Sequence, residues 1–186
     1  LGLITLAAGL WMVRSGYFLI EAVPVSAQIG AEFLYYTATA GFALVMTLAT
    51  LRLIGRRLPR EERIAQIFAA LGPLLLLVTA RHAVPYLDNL WIPVLLAITG
   101  TALVQAIVHR IVHRDAPSGL LLGALTVAQL AAMHDYAQWV GWASGAHAQL
   151  LHWAGPLTLI ALATPLVDRF VRVLRDAESA RANLET

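Results

Sequence analysis

The chain has 186 residues, of which 59% are apolar and 13% charged, and its mean hydropathy is +0.72. Soluble domains run about 45–50% apolar and about 25% charged, and a globule of this size cannot hide such an excess. A soluble domain, a disordered tail and a nucleic-acid binder are therefore excluded. The net charge is +2, all 13 basic residues are Arg, and the absence of Cys removes disulfides, thiolate metal sites and thiol catalysis.

A bilayer core of about 30 Å needs about 20 helical residues. Six segments meet that length, so the composition predicts an all-α polytopic transmembrane bundle. In chain order the spans are about 1–20, 28–54, 64–82, 90–108, 118–141 and 149–170. Runs such as Leu74–Val78 lack strand-like alternation, which selects helices over a barrel. Gly2, Gly9, Gly41, Gly100 and Gly123 are expected where helices approach closely.

The arginines give an orientation. The loop after span two holds Arg52, Arg56, Arg57, Arg60 and Arg63. Arg110 and Arg114 follow span four, and Arg169, Arg172, Arg175 and Arg181 follow span six. Short Arg-rich loops are cytoplasmic, so Leu1 and Thr186 are both expected inside. Trp91, Trp139, Trp142 and Trp153 fall at outer span ends, as an aromatic belt would.

Arg14 and Arg81, the two remaining arginines, lie in the outer half with Glu21, Glu32, His82, Asp88, His134, Asp135, His147 and His152. Charges inside spans face a bundle interior or a watery cavity. The ligand-pocket candidates are thus Arg14, Glu32, Arg81, His82, His134, Asp135 and His152. The bland reading pairs Arg14 with Glu32 and Arg81 with Asp135. No metal site is expected, because the outer imidazoles lack i, i+3 or i+4 spacing; His109 and His113 have it but belong to the inner basic rim. No catalytic site is expected either, since no nucleophile or metal stands at matched spacing. A small-solute transporter or channel remains open, although no half-to-half symmetry is visible and the polar residues gather at one end.

Residues 1–166 form the expected sensor bundle and 167–186 a cytoplasmic exit helix. Val167, Phe170, Leu174, Ala177 and Leu184 follow a heptad a/d spacing interrupted by Arg181. These are the candidate signal-relay positions of a parallel coiled coil in a homodimer.

Met133-His134-Asp135-Tyr136-Ala137-Gln138-Trp139-Val140-Gly141-Trp142 resembles the His-Asp motif of the bacterial seven-transmembrane receptors with diverse intracellular signalling modules. Asp168 to Glu178, followed by Ala182-Asn183-Leu184-Glu185, resembles their exit helix. Trp11 to Tyr17 and Arg56-Arg57-Leu58-Pro59-Arg60 are also similar. The resemblance implies a seventh span and an extracytoplasmic sensory domain before Leu1, and an output domain after Thr186. That output is expected to be a two-component histidine kinase acting on a response regulator, or alternatively a diguanylate cyclase. ATP and Mg belong only to the absent kinase domain, so no cofactor is expected in this chain. The partners are the lipid bilayer, a second copy, and a small-molecule ligand or the sensory domain. His134 and Asp135 match the family's paired positions, for which the resemblance supplies no chemistry.

Overall fold

A computed structural model describes residues 2–17, 25–79, 83–113, 119–142 and 149–184. These fold into six helices with no strand among the described residues: α1 (Gly2–Tyr17), α2 (Val25–Leu53), α3 (Pro59–Val78), α4 (Val84–Val112), α5 (Gly119–Trp139) and α6 (Leu150–Leu184). Three of them, α2, α4 and α6, are long and apolar enough to cross a membrane. The described part of α1 has 16 residues. α3 opens on Arg60, Glu61, Glu62 and Arg63, and α5 carries Gln129, His134, Asp135 and Gln138 in its second half.

α3 starts five residues before the expected span. Pro59 opens it, since a proline at the first helical position lacks only an N–H that would be unsatisfied anyway. Glu62 then closes its first turn. Its Oε1 accepts the Leu58 N–H at 3.2 Å, and its Oε2 lies 2.6 Å from Arg52 Nη2. Arg56 Nη1 donates to Gln105 Oε1 at 3.3 Å. The Arg-rich loop is thereby tied to the far end of α4, which defines an arginine-rich end of the bundle.

The core mixes large residues such as Phe42, Met46, Trp91 and Leu121 with many alanines, and the surface is rich in large aliphatics. Ala7, Ala38, Ala40, Ala49, Ala69, Ala102, Ala106, Ala154 and Ala161 are buried, whereas Ile64, Ile67, Leu74, Leu77, Val127, Leu130, Leu157 and Ile160 are exposed. Small residues at helix seams with large aliphatics outside are the pattern of a bundle surrounded by lipid, where close backbone approach and dispersion hold helices together. Together with the three spanning helices, it gives the chain a membrane-protein character.

α1 packs on α2, α2 on α4, α4 on α5, α5 on α6 and α6 back on α1, while α3 lies in the outer groove between α2 and α4. Two glycines set this arrangement. The Trp91 ring of α4 lies where a Cβ on Gly72 of α3 would stand, and the Trp11 ring of α1 lies where a Cβ on Gly155 of α6 would stand. Trp91 donates from Nε1 to the Phe68 carbonyl at 3.1 Å. It is therefore a buried anchor of α3, 4% exposed, rather than the belt residue its position suggests; Trp139, Trp142 and Trp153 are exposed. Of the glycines expected at close contacts, Gly41 meets Leu10 and Gly100 meets Gln129, but Gly2, Gly9 and Gly123 face open space.

α6 has 35 residues, about 52 Å at 1.5 Å per residue, well beyond the hydrocarbon core. It passes residue 167 without a break. Val167, Phe170, Val171, Val173, Leu174 and Ala177 are exposed. The side chain of Leu184 lies outside the described residues.

Candidate functional site

The five-helix ring lines a partly open cavity of about 760 Å³, to which α3 contributes no wall among the described residues. Its α2 wall runs from Glu32 to Thr50 and its α4 wall from Val84 to Leu103. Each stretch is about 27–28 Å long at the helical rise, close to the thickness of a bilayer core. Polar and charged groups collect at one end: Arg14, Glu32, Tyr35, Asp88, Asp135 and Gln138. Beyond them the wall is Phe42, Met46, Leu95, Leu96, Leu103 and Leu125 with interspersed threonines.

Arg14 is 5% exposed, and its guanidinium carbon lies 6.0 Å from the centre of the Tyr35 ring, within cation–π reach. Glu32 faces the same space from the first turns of α2. Asp88, also 5% exposed, accepts a hydrogen bond from the Tyr36 hydroxyl. Tyr36 stacks on Trp91, with ring centres 5.2 Å apart and planes 18° off parallel. One aromatic pair thus fixes the carboxylate of α4 against α2 and, through Gly72, against α3.

Asp135 is bound to the start of α6. Its Oδ1 accepts the Leu150 N–H at 2.8 Å and its Oδ2 the Leu151 N–H at 2.9 Å. The first N–H groups of a helix have no partner within it, and a carboxylate there also meets the positive end of the helix dipole. A residue of α5 therefore caps α6 across the loop between them. His134, one residue earlier, points about 100° away. It is absent from the cavity wall, its Nδ1 is 3.4 Å from Asp135 Oδ1, and its Nε2 is 3.5 Å from Gln138 Nε2.

His152 also stands off the cavity. Its ring centre is 5.8 Å from that of Trp11 and 6.4 Å from that of Trp153, so it packs into the α1–α6 seam. Arg81, His82, Glu21 and His147 lie outside the described residues. Of the seven sequence candidates, the structure brings Arg14, Glu32 and Asp135 to one cavity and places His134 and His152 outside it. The expected pairing of Asp135 with Arg81 involves a residue outside the described ones, and the described partners of Asp135 are the α6 amides. No group of three metal-ligating side chains occurs among the described residues. No protein-family model, curated protein or solved structure matches the chain.

The sequence reading missed Tyr36, Thr39, Gln129, Tyr136 and Gln149, all on the cavity wall. Gln129 carried a usable signal as an amide amid a long apolar run. It joins α5 to α4, with Oε1 accepting from the Thr99 hydroxyl at 2.8 Å and Nε2 donating to the Leu96 carbonyl at 3.0 Å.

Removing the Tyr36 hydroxyl isolates the Asp88 carboxylate. Tyr36→Phe is expected to cost about 1–3 kcal/mol, the penalty for a buried acceptor left without its donor. Thermal unfolding in nanodiscs reads this loss. The double variant Tyr36→Phe/Asp88→Asn is expected to lose less than the sum of the single changes, because the stranded charge is gone.

Proposed function

We propose that this chain is the membrane sensor region of a bacterial signalling receptor, which relays an extracytoplasmic event through α6 to a cytoplasmic output domain. One observation carries the reading: α6 is a single helix that lines the ligand-sized cavity with Leu151 and Thr158 and continues to the exposed heptad positions Val167, Phe170, Leu174 and Ala177. A continuous helix with one end in a cavity and exposed positions beyond the bundle is suited to rigid-body signalling, in which occupancy biases two packings of the bundle.

The arginine distribution supports a six-span bundle in the inner membrane with both ends cytoplasmic. The resemblance to the seven-transmembrane receptors with diverse intracellular signalling modules supports a dimer with a histidine kinase output. That output would carry the ATP, the Mg and the response-regulator contact. A diguanylate cyclase is the alternative output.

The length of the cavity is the observation that favours a transporter instead. Against it, the hydroxyls of Thr47, Thr50 and Thr158 donate to the carbonyls four residues earlier on their own helices. Thr99 is engaged by Gln129. These hydroxyls offer little to a hydrated solute.

The chain contains no Cys, so single cysteines report cleanly. Disulfide trapping in membranes is expected to join copies through positions 170, 174 and 177 and to leave 172 and 175 unlinked. Uniform or absent trapping along α6 overturns the dimeric relay.

A further inference from the structure

We propose that the cavity holds one molecule of a single-chain amphiphile whose head group carries no net charge, with its head beside Arg14, Glu32 and Thr39 and its tail running toward Leu103. The inference rests on reading this cavity as the sensor's ligand site and names the class of ligand.

The shape argues for the tail. Ligand cavities measure about 300–1,000 Å³, and this one, at about 760 Å³, extends along about 27 Å of α2. A space of that length and volume accepts one extended hydrocarbon chain with its head. Below Thr39 the wall is aliphatic and aromatic, and Thr47, Thr50 and Thr158 have turned their hydroxyls onto their own backbones. What remains of each threonine for a ligand is largely its methyl. Filling this space with hydrocarbon removes apolar wall from water without stranding those hydroxyls.

The charges argue for the head. Asp88 is held by the Tyr36 hydroxyl and Asp135 by the first two amides of α6. Glu32 and Arg14 present one charge of each sign to the cavity, so an anionic head meets the carboxylate and a cationic head the guanidinium. Beside a mostly apolar wall either like-charge contact is unfavourable. A head with no net charge escapes both and can use donors and acceptors of either sign. Thr39 supplies a further group: its hydroxyl is buried and has no hydrogen-bond partner among the described residues. It lies seven residues beyond Glu32, about 10 Å deeper, where the head would give way to the tail.

The test uses the chain in nanodiscs of a two-chain phosphatidylcholine and radiolabelled probes sharing a sixteen-carbon tail: monopalmitoylglycerol, palmitoyl lysophosphatidylcholine, palmitate and hexadecylamine. Saturable binding of one molecule per chain is expected for monopalmitoylglycerol, for the lysophosphatidylcholine or for both, at least tenfold tighter than for palmitate and hexadecylamine. The first two separate a neutral head from a zwitterionic one. Affinity is also expected to rise from octanoyl through dodecanoyl to palmitoyl glycerol. Ala43→Trp, which places an indole in the tail region, is expected to weaken binding at least tenfold with helicity retained; if that variant fails to fold, the chain-length series decides. Equal or tighter binding of palmitate or hexadecylamine, affinity independent of tail length, or uptake no greater than by empty nanodiscs overturns the proposal. Binding of the uncharged probe with no change in α6 trapping would overturn the sensor reading and leave the ligand class standing. A change in α6 produced by palmitate alone would do the reverse.

Discussion

Asp135→Ala is expected to destabilise the bundle by about 2 kcal/mol, the upper end of the cost of losing a helix N-cap. The side chain accepts the first two amides of α6 and places negative charge at the positive end of that helix. In a bilayer, water is less available to replace it. Asp135→Asn keeps one acceptor oxygen and loses the charge, so about half the effect is expected. Thermal unfolding of the two variants in nanodiscs gives the comparison. The same change frees the start of the proposed relay helix from α5, and disulfide trapping at positions 170 and 174 is expected to lose its periodicity. Unchanged stability in both variants would show that the cap contributes nothing.

The second large effect is expected at Gly155. A methyl group there occupies the space of the Trp11 indole, and overpacking of a tight contact costs about 1–3 kcal/mol. α1 and α6 close the helical ring at this seam, so Gly155→Ala is expected to move them apart as well as destabilise them. Trp11→Leu, which shrinks the intruding ring, is expected to recover part of the loss in the double variant. A double-mutant cycle measures that coupling; strict additivity would mean that the indole moves aside without cost.

The helices were legible because their signal is local. Long apolar stretches broken by arginine and proline mark α2, α4 and α6 whatever packs around them, and the start of α3 was missed only because its first turn is charged. The site was less legible, because it depends on which face each residue presents after packing. Asp135 and His134 are neighbours in sequence, but the rotation of about 100° between them sends one to the α6 amides and the other off the cavity. His152 was drawn to the polar group by its depth, yet its ring packs beside Trp11.

The glycine notches were illegible for a related reason. Nothing around Gly72 or Gly155 announces that an indole from another helix fills the missing side chain. The polar residues gather at one end in the sequence, whereas the cavity continues past them along an apolar wall. Thr47, Thr50 and Thr158, with hydroxyls bonded to their own helices, line this elongated and mostly apolar cavity.

The central claim is that the contents of this cavity set the disposition of α6, and the distance between copies at position 174 tests it most directly. α2 makes no close backbone approach to α6 among the described residues, so filling the cavity from Ala43 acts on α6 through side-chain packing, including the cavity wall formed by Leu151 and Thr158. Spin labels at position 174 are to be compared by pulsed electron paramagnetic resonance in nanodiscs, with and without Ala43→Trp and with and without monopalmitoylglycerol. The account predicts that the inter-copy distance distribution shifts with the ligand and that the indole abolishes its response. Identical distributions in all four samples would contradict it.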